Sequence, residues 1–186
     1  MGACAQKDTP MIKKTTSLIF AFIFLLTAVL FTASCSNEDP DAPKGMKLCS
    51  NDVVGFKFYV PEDWTLSMST GAVGAYCSSS DPTNVSVMAW NLPSAMTVTE
   101  WWEQYKAEFE GVFSDFKVID ETNITMGGVA GVKYTYTAKL GDFEYYYIQA
   151  ACIRSGMVYV FTFTSTPDKY ESHLEEVDNM LAHFDF

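Results

Sequence analysis

Chemistry in this 186-residue chain has few starting points: two histidines, five cysteines and 23 acidic residues. His173 and His183 stand ten residues apart on one predicted helix, and at ~100° per residue they fall on different sides and cannot share a metal ion. A hydrolase would have to combine Ser and Asp with His173 or His183 as the base. The plainer reading is two flank residues of a surface helix. No Cys-x-x-Cys occurs, so zinc and thioredoxin-like chemistry have no motif here. If two of the cysteines Cys49, Cys77 and Cys152 pair in an oxidising compartment, Cys49 and Cys77 are the better placed, since both lie near predicted strand ends while Cys152 sits inside an apolar strand. Asp115, Asp120 and Glu121 could make an acidic cation-binding protein, but they lack the closely spaced oxygens and the glycine of a calcium loop. No catalytic residue, cofactor or metal ligand is therefore assigned.

The remaining thiol of note is Cys35. It follows Leu18–Phe31, a nearly unbroken apolar run preceded by Lys13 and Lys14 and closed by Ala33 and Ser34. The run is short of the ~20 residues of a comfortable spanning helix and ends in small residues that suit a peptidase, so residues 1–34 read as a signal peptide. Met11-Ile12-Lys13-Lys14 is a complete signal-peptide start, which makes residues 1–10 an upstream leader. Thr32-Ala33-Ser34-Cys35 resembles the lipobox of bacterial lipoproteins, whose Cys thiol carries a diacylglyceryl group. At ~0.8 kcal/mol per buried CH₂, two or more acyl chains would hold the chain on a bilayer permanently. Residues 35–45, polar and rich in proline and acid, read as a lipidated tether, and residues 46–186 as the folded domain.

The formal charge is −11, and removing residues 1–34 would leave nine cations against 22 anions, a net charge near −13. Such a surface repels nucleic acid phosphate and anionic headgroups and favours cationic or neutral partners. With 48% hydrophobic and 15% aromatic residues the body has ample material for one core.

The elements that must position these residues follow from periodicity. Met46–Ser50 and Gly55–Val60 alternate as strands do, and Pro61-Glu62-Asp63-Trp64 ends the second, with Trp64 plugging a sheet end. Ala72–Ser79 and Val85–Leu92 form a hairpin around Ser80-Asp81-Pro82-Thr83-Asn84. Thr97–Phe113 carries an apolar stripe at helical spacing, with Thr97 and Glu100 as a capping box and Met96 and Trp101 as a hydrophobic staple. Phe116–Asn123, Val132–Leu140, Phe143–Ile153 and Met157–Ser165 follow with short turns, which implies a meander. A last helix is expected from an N-cap at Thr166, buried along Tyr170, Leu174, Val177, Leu181 and Phe184, with Phe184 and Phe186 pinning the chain end.

The run Gly55-Phe56-Lys57-Phe58-Tyr59-Val60-Pro61-Glu62-Asp63-Trp64 resembles the opening motif Gly-Phe-x-Phe-x-x-Pro-x-x-Trp of the PsbP-like family. Gly127-Gly128-Val129-Ala130-Gly131-Val132 resembles its glycine-bearing hairpin, and Tyr159–Ser165 with Phe184-Asp185-Phe186 its closing strand, helix and terminus. The resemblance implies an α+β fold: an antiparallel sheet of about six or seven strands with helices packed on its faces, an α/β/α sandwich. It also implies a noncatalytic style of action, and no binding residues are carried over.

Together these readings give a lipid-anchored lipoprotein of the bacterial cell envelope, held to the membrane through Cys35 and acting outside the cytoplasm as a binding or assembly module. Its expected partner is an envelope protein or an apolar peptide. Trp101, Trp102, Tyr145 and Tyr147 are the candidate contact surface, because Trp and Tyr are enriched at interfaces. The competing reading places them in the core between helix and sheet.

Overall fold

A computed structural model describes residues 39–69 and 72–186. The leader, the signal peptide and the lipidation residue Cys35 lie outside the described residues. Nine strands and two α-helices are described: β1 Met46–Asn51, β2 Phe56–Pro61, β3 Thr65–Ser69, β4 Ala72–Tyr76, β5 Asn84–Asn91, α1 Val98–Glu110, β6 Ser114–Met126, β7 Val129–Leu140, β8 Phe143–Arg154, β9 Met157–Ser165 and α2 Leu174–Ala182, the last entered through a 3₁₀ turn, Tyr170–His173. β3 to β9 form one seven-stranded antiparallel sheet in the order β3-β4-β5-β9-β8-β7-β6. The expected sheet of six or seven strands with helices on its faces is thus present, with two amendments.

First, β1 and β2 pair with each other as a separate two-stranded sheet instead of joining the main one. Their alternation serves to pack across a face: Phe56, Phe58 and Val60 are buried among Phe161, Phe163, Ala150 and Ile148, together with Val177, Met180 and Leu181 of α2. Second, β3 is an additional edge strand. Trp64 stands immediately before it, 1% exposed and part of the core on this face.

The opposite face is covered by α1. The helix starts as its sequence dictates, with the Glu100 N–H donating to Thr97 Oγ1 (3.1 Å) and the Thr97 N–H to Glu100 Oε2 (2.8 Å). Trp102 lies flat on Tyr134 of β7 with ring centroids 4.0 Å apart, and Phe109 and Phe113 pack beside Tyr136 and Tyr147. Glu100, Glu103, Glu108 and Glu110 are exposed, the solvated side of an amphipathic helix.

The chain end returns to the hairpin. Lys57 and Asp185 exchange backbone hydrogen bonds at 2.8 Å in each direction, Phe184 stacks on Phe56, and Phe186 meets Tyr159 edge-on. The two phenylalanines therefore pin the terminus as expected. The described part of the tether is also held: Asp39 accepts a 2.8 Å bond from the Tyr59 hydroxyl, and Ala42 packs on the core.

The helix before it begins later than expected. Thr166 does not cap an α-helix; its carbonyl accepts from the N–H groups of Lys169 and Tyr170 in a turn that leads into the 3₁₀ segment.

Candidate functional site

Two tight structures meet at one end of β4 and β5. The loop Cys77–Thr83 that joins these strands is closed at its base by the Cys77 N–H donating to the Thr83 carbonyl (2.8 Å) and inside by the Ser78 N–H donating to the Asp81 carbonyl (3.1 Å). Asp81 turns back on the loop: its Oδ1 accepts from the Thr83 N–H (3.0 Å), which fixes the carboxylate and leaves Oδ2 facing outward from the turn. Thr83 is itself anchored by a buried 2.8 Å hydroxyl contact with Ser165 at the end of β9.

The second structure is the 3₁₀ turn and the first turn of α2. It carries His173, whose ring lies edge-on to buried Trp64 at 5.6 Å between centroids. Its Nδ1 meets Glu176 Oε2 at 2.5 Å and its Nε2 meets Asp81 Oδ2 at 3.2 Å. Carboxylates thus hold both ring nitrogens. Cys77 completes the group: its Sγ, an Asp81 carboxylate oxygen and a His173 ring nitrogen all lie within 4.8 Å of one another. Among the described residues this is the one cluster of three such donors.

Charge in the cluster follows from burial and pairing. Burial alone would lower the His173 pKa, but the Glu176 and Asp81 carboxylates outweigh it and raise it above the usual 6.5. Burial alone would raise Asp81, but its bonds from Thr83 and His173 hold it below 3.8. Cys77 is raised above its ordinary value, first by burial and then by Asp81, Asp63 and Glu176, against the weaker pull of Lys169. A thiol so placed is a poor nucleophile as it stands.

The sequence-predicted residues divide. Trp101, Trp102 and Tyr147 are buried, at 4%, 2% and 7% exposure, and belong to the core between α1 and the sheet, while Tyr145 is half-buried and packs against that core. The packing of α1 against β7 and β8 gives the buried rings their place inside. Cys49 and Cys77 are free thiols and not the expected bridge. Cys49 is buried in β1 with its Sγ near the Gly74 carbonyl at 3.8 Å, while Cys77 faces the histidine cluster. Burial pushes the Cys49 and Cys152 thiols up to about 12.

His183 is exposed, with its ring bonded to the Asn179 carbonyl (2.9 Å), as a flank residue would be. His173 is not a flank residue, and its two carboxylate contacts went unforeseen. For the hydrolase reading, neither histidine ring has a Ser or Cys within hydrogen-bond distance among the described residues. Asp115 is paired with Lys139 at 2.6 Å and Asp120 accepts from the Thr122 hydroxyl at 2.6 Å, so the acids of β6 are spread along an exposed strand and not gathered around a cation.

Comparison with known proteins adds family and fold. The model of the family described as DcrB matches residues 57–183. No curated protein matches in sequence. The fold is similar to that of the cyanobacterial PsbP, CyanoP, from Synechocystis sp. PCC 6803 (16% identity, TM-score 0.57, 78% of this chain and 94% of that one). It is similar as well to LpqN of Mycobacterium tuberculosis, a protein involved in cell envelope biogenesis (14% identity, TM-score 0.54, 70% and 82%). The Ran-binding protein Mog1p of Saccharomyces cerevisiae shares it too (9% identity, TM-score 0.57, 75% and 94%). The PsbP-like fold expected from the motifs is the one found.

Proposed function

The chain belongs to the DcrB family, and we propose that it is a membrane-tethered, extracytoplasmic module that binds or helps assemble envelope components without catalysis. The observation that carries the noncatalytic part is at His173: both ring nitrogens are taken by carboxylates, and the neighbouring Cys77 has its pKa raised. A general base must reach the proton of a nucleophile, and here it reaches only acids.

The tethered part rests on the apolar run ending at Ala33-Ser34-Cys35 and on the start of the folded body. Asp39 is bonded to Tyr59 on the body, and at most ~3.6 Å per residue separates it from Cys35. A lipid on Cys35 would therefore keep the β1–β2 side of the domain within about one chain-length of ~14 Å from the bilayer surface. The body's charge near −13 keeps it from lying on anionic headgroups and selects cationic or neutral partners, an envelope protein or an apolar peptide. That LpqN acts in envelope biogenesis and Mog1p binds Ran supports a binding role for this scaffold.

The test is in the native membrane. Crosslinking at natural abundance and isolating the protein should recover it with a distinct second polypeptide. Recovery as monomer alone would overturn the assembly role.

A further inference from the structure

The cluster at the end of β4 and β5 carries an inference separate from the binding role. Its donors come from two segments far apart in sequence, the loop after β4 and the turn before α2, and they are one thiol, one carboxylate and one imidazole. A tetrahedral ion with bonds of ~2.0 Å to nitrogen and oxygen holds those two atoms ~3.3 Å apart. Asp81 Oδ2 and His173 Nε2 are 3.2 Å apart. Both are also pre-aimed: the Thr83 N–H holds the other Asp81 oxygen, and Glu176 holds His173 Nδ1. A carboxylate on the far nitrogen of a histidine fixes the ring and its tautomer, the usual support of a metal-ligating imidazole.

We propose that Cys77, Asp81 and His173 form a binding site for a borderline divalent transition metal, zinc(II) foremost. A mixed sulfur, nitrogen and oxygen set excludes calcium and magnesium, which take oxygen ligands, and suits zinc. With the three ligand atoms all within 4.8 Å of one another, Cys77 Sγ needs to move by no more than about 1 Å to reach the ~3.6 Å spacing of a zinc-bound S and N, and Cys77 is only half-buried on a loop. Binding breaks the S–H bond of Cys77, its proton leaves to solvent and the sulfur electron pair goes to the metal. The imidazole ligates as the neutral form: the Nε2 proton, which faces Asp81 in the metal-free protein, also leaves to solvent, and the remaining proton stays on Nδ1 toward Glu176. Three protein ligands leave a fourth position for solvent. The ion ties the β4–β5 loop to the 3₁₀ turn ahead of α2, reinforcing the Asp81–His173 contact between them.

The experiment uses the detergent-solubilised full-length protein. Alkylation of each cysteine is followed by peptide mass spectrometry with zinc(II), with calcium(II) or with neither, beside the melting temperature. Zinc should suppress alkylation of Cys77, whose sulfur electron pair is then held by the metal, and raise the melting temperature, and calcium should do neither. In Asp81→Asn, which keeps an acceptor for the Thr83 N–H, and in His173→Asn, protection of Cys77 should fall at the same zinc concentration. Should His173→Asn fail to fold, Asp81→Asn alone decides. Unchanged Cys77 alkylation in zinc would overturn the site, as would protection undiminished in a folded Asp81→Asn protein.

Discussion

Gly74, in the middle of β4, is present because its neighbours leave no room. A Cβ built there would stand 2.1 Å from the Val85 carbonyl oxygen on β5, a backbone atom that cannot swing aside. Gly74→Ala should force β4 from β5 and destabilise the fold by ~1–3 kcal/mol, seen as a lower midpoint in urea with little change in slope. Thiol burial makes a second residue-scale prediction. Cys49 and Cys152 are 4% and 0% exposed while Cys77 is half-buried, so of these three only Cys77 should be labelled by a maleimide in the native protein, and all three after denaturation. These same residues show how little of the site was legible in the sequence. Asp81 in a Ser-Asp-Pro-Thr turn reads as turn chemistry, because an Asp that bonds the backbone two residues on is what such turns use. Only the fold brings it to His173, 92 residues away. Helical spacing could say that His173 and His183 part company; it could not say which of them turns inward.

Individual elements were legible in proportion to how local their causes are. The start of α1 is written in Thr97 and Glu100, and Thr97→Ala should cost ~1 kcal/mol, measurable as a lower melting temperature with the same fold by circular dichroism. β1 and β2 were legible as strands, but alternation is the same whether a strand joins a sheet or lies across its face, so their separate pairing was not. Thr166-Pro167-Asp168 carries the marks of a helix start, yet the turn there is followed by a 3₁₀ segment that sets His173 against Trp64 and Asp81. That placement gives the α2 junction a pH dependence. The groups facing His173 are Glu176 on its own helix and Asp81 on the opposing loop, with Asp63, Cys77 and Lys169 around them. Because the folded pKa of His173 is raised, its stabilisation is complete below about 6.5 and is lost as pH rises through the raised value. Asp81, lowered, contributes above about 3.8 and less as pH falls through its folded value. In metal-free protein, the melting-temperature gap between wild type and His173→Gln should be widest between about pH 4 and 6.5 and narrow as pH rises through the raised folded value. A gap that is constant with pH would mean that packing against Trp64 is all His173 does.

At the scale of the whole molecule, one sheet is buried on both faces by different covers, α1 on one side and the β1–β2 hairpin with α2 on the other. The aromatic excess that looked like a contact surface is what such a two-sided core consumes: Trp102, Tyr134, Tyr136 and Tyr147 stack in layers on the α1 side, while Phe56, Phe58, Phe161 and Phe184 fill the other. With 23 acidic against 12 basic residues in the chain, the charge left for the surface is net negative. The buried residues of the two described clusters all lie between Met46 and Phe184. Cys35→Ala should therefore leave the folded body as stable as before, within ~0.5 kcal/mol, while moving the protein from the membrane fraction to the soluble extracytoplasmic fraction. In the wild type, mass spectrometry of the membrane-extracted chain should find a polypeptide beginning at Cys35 with acyl chains on its sulfur. An uncut leader with a bare Cys35 thiol would remove the tether from the proposal and leave the fold, the family and the metal site standing.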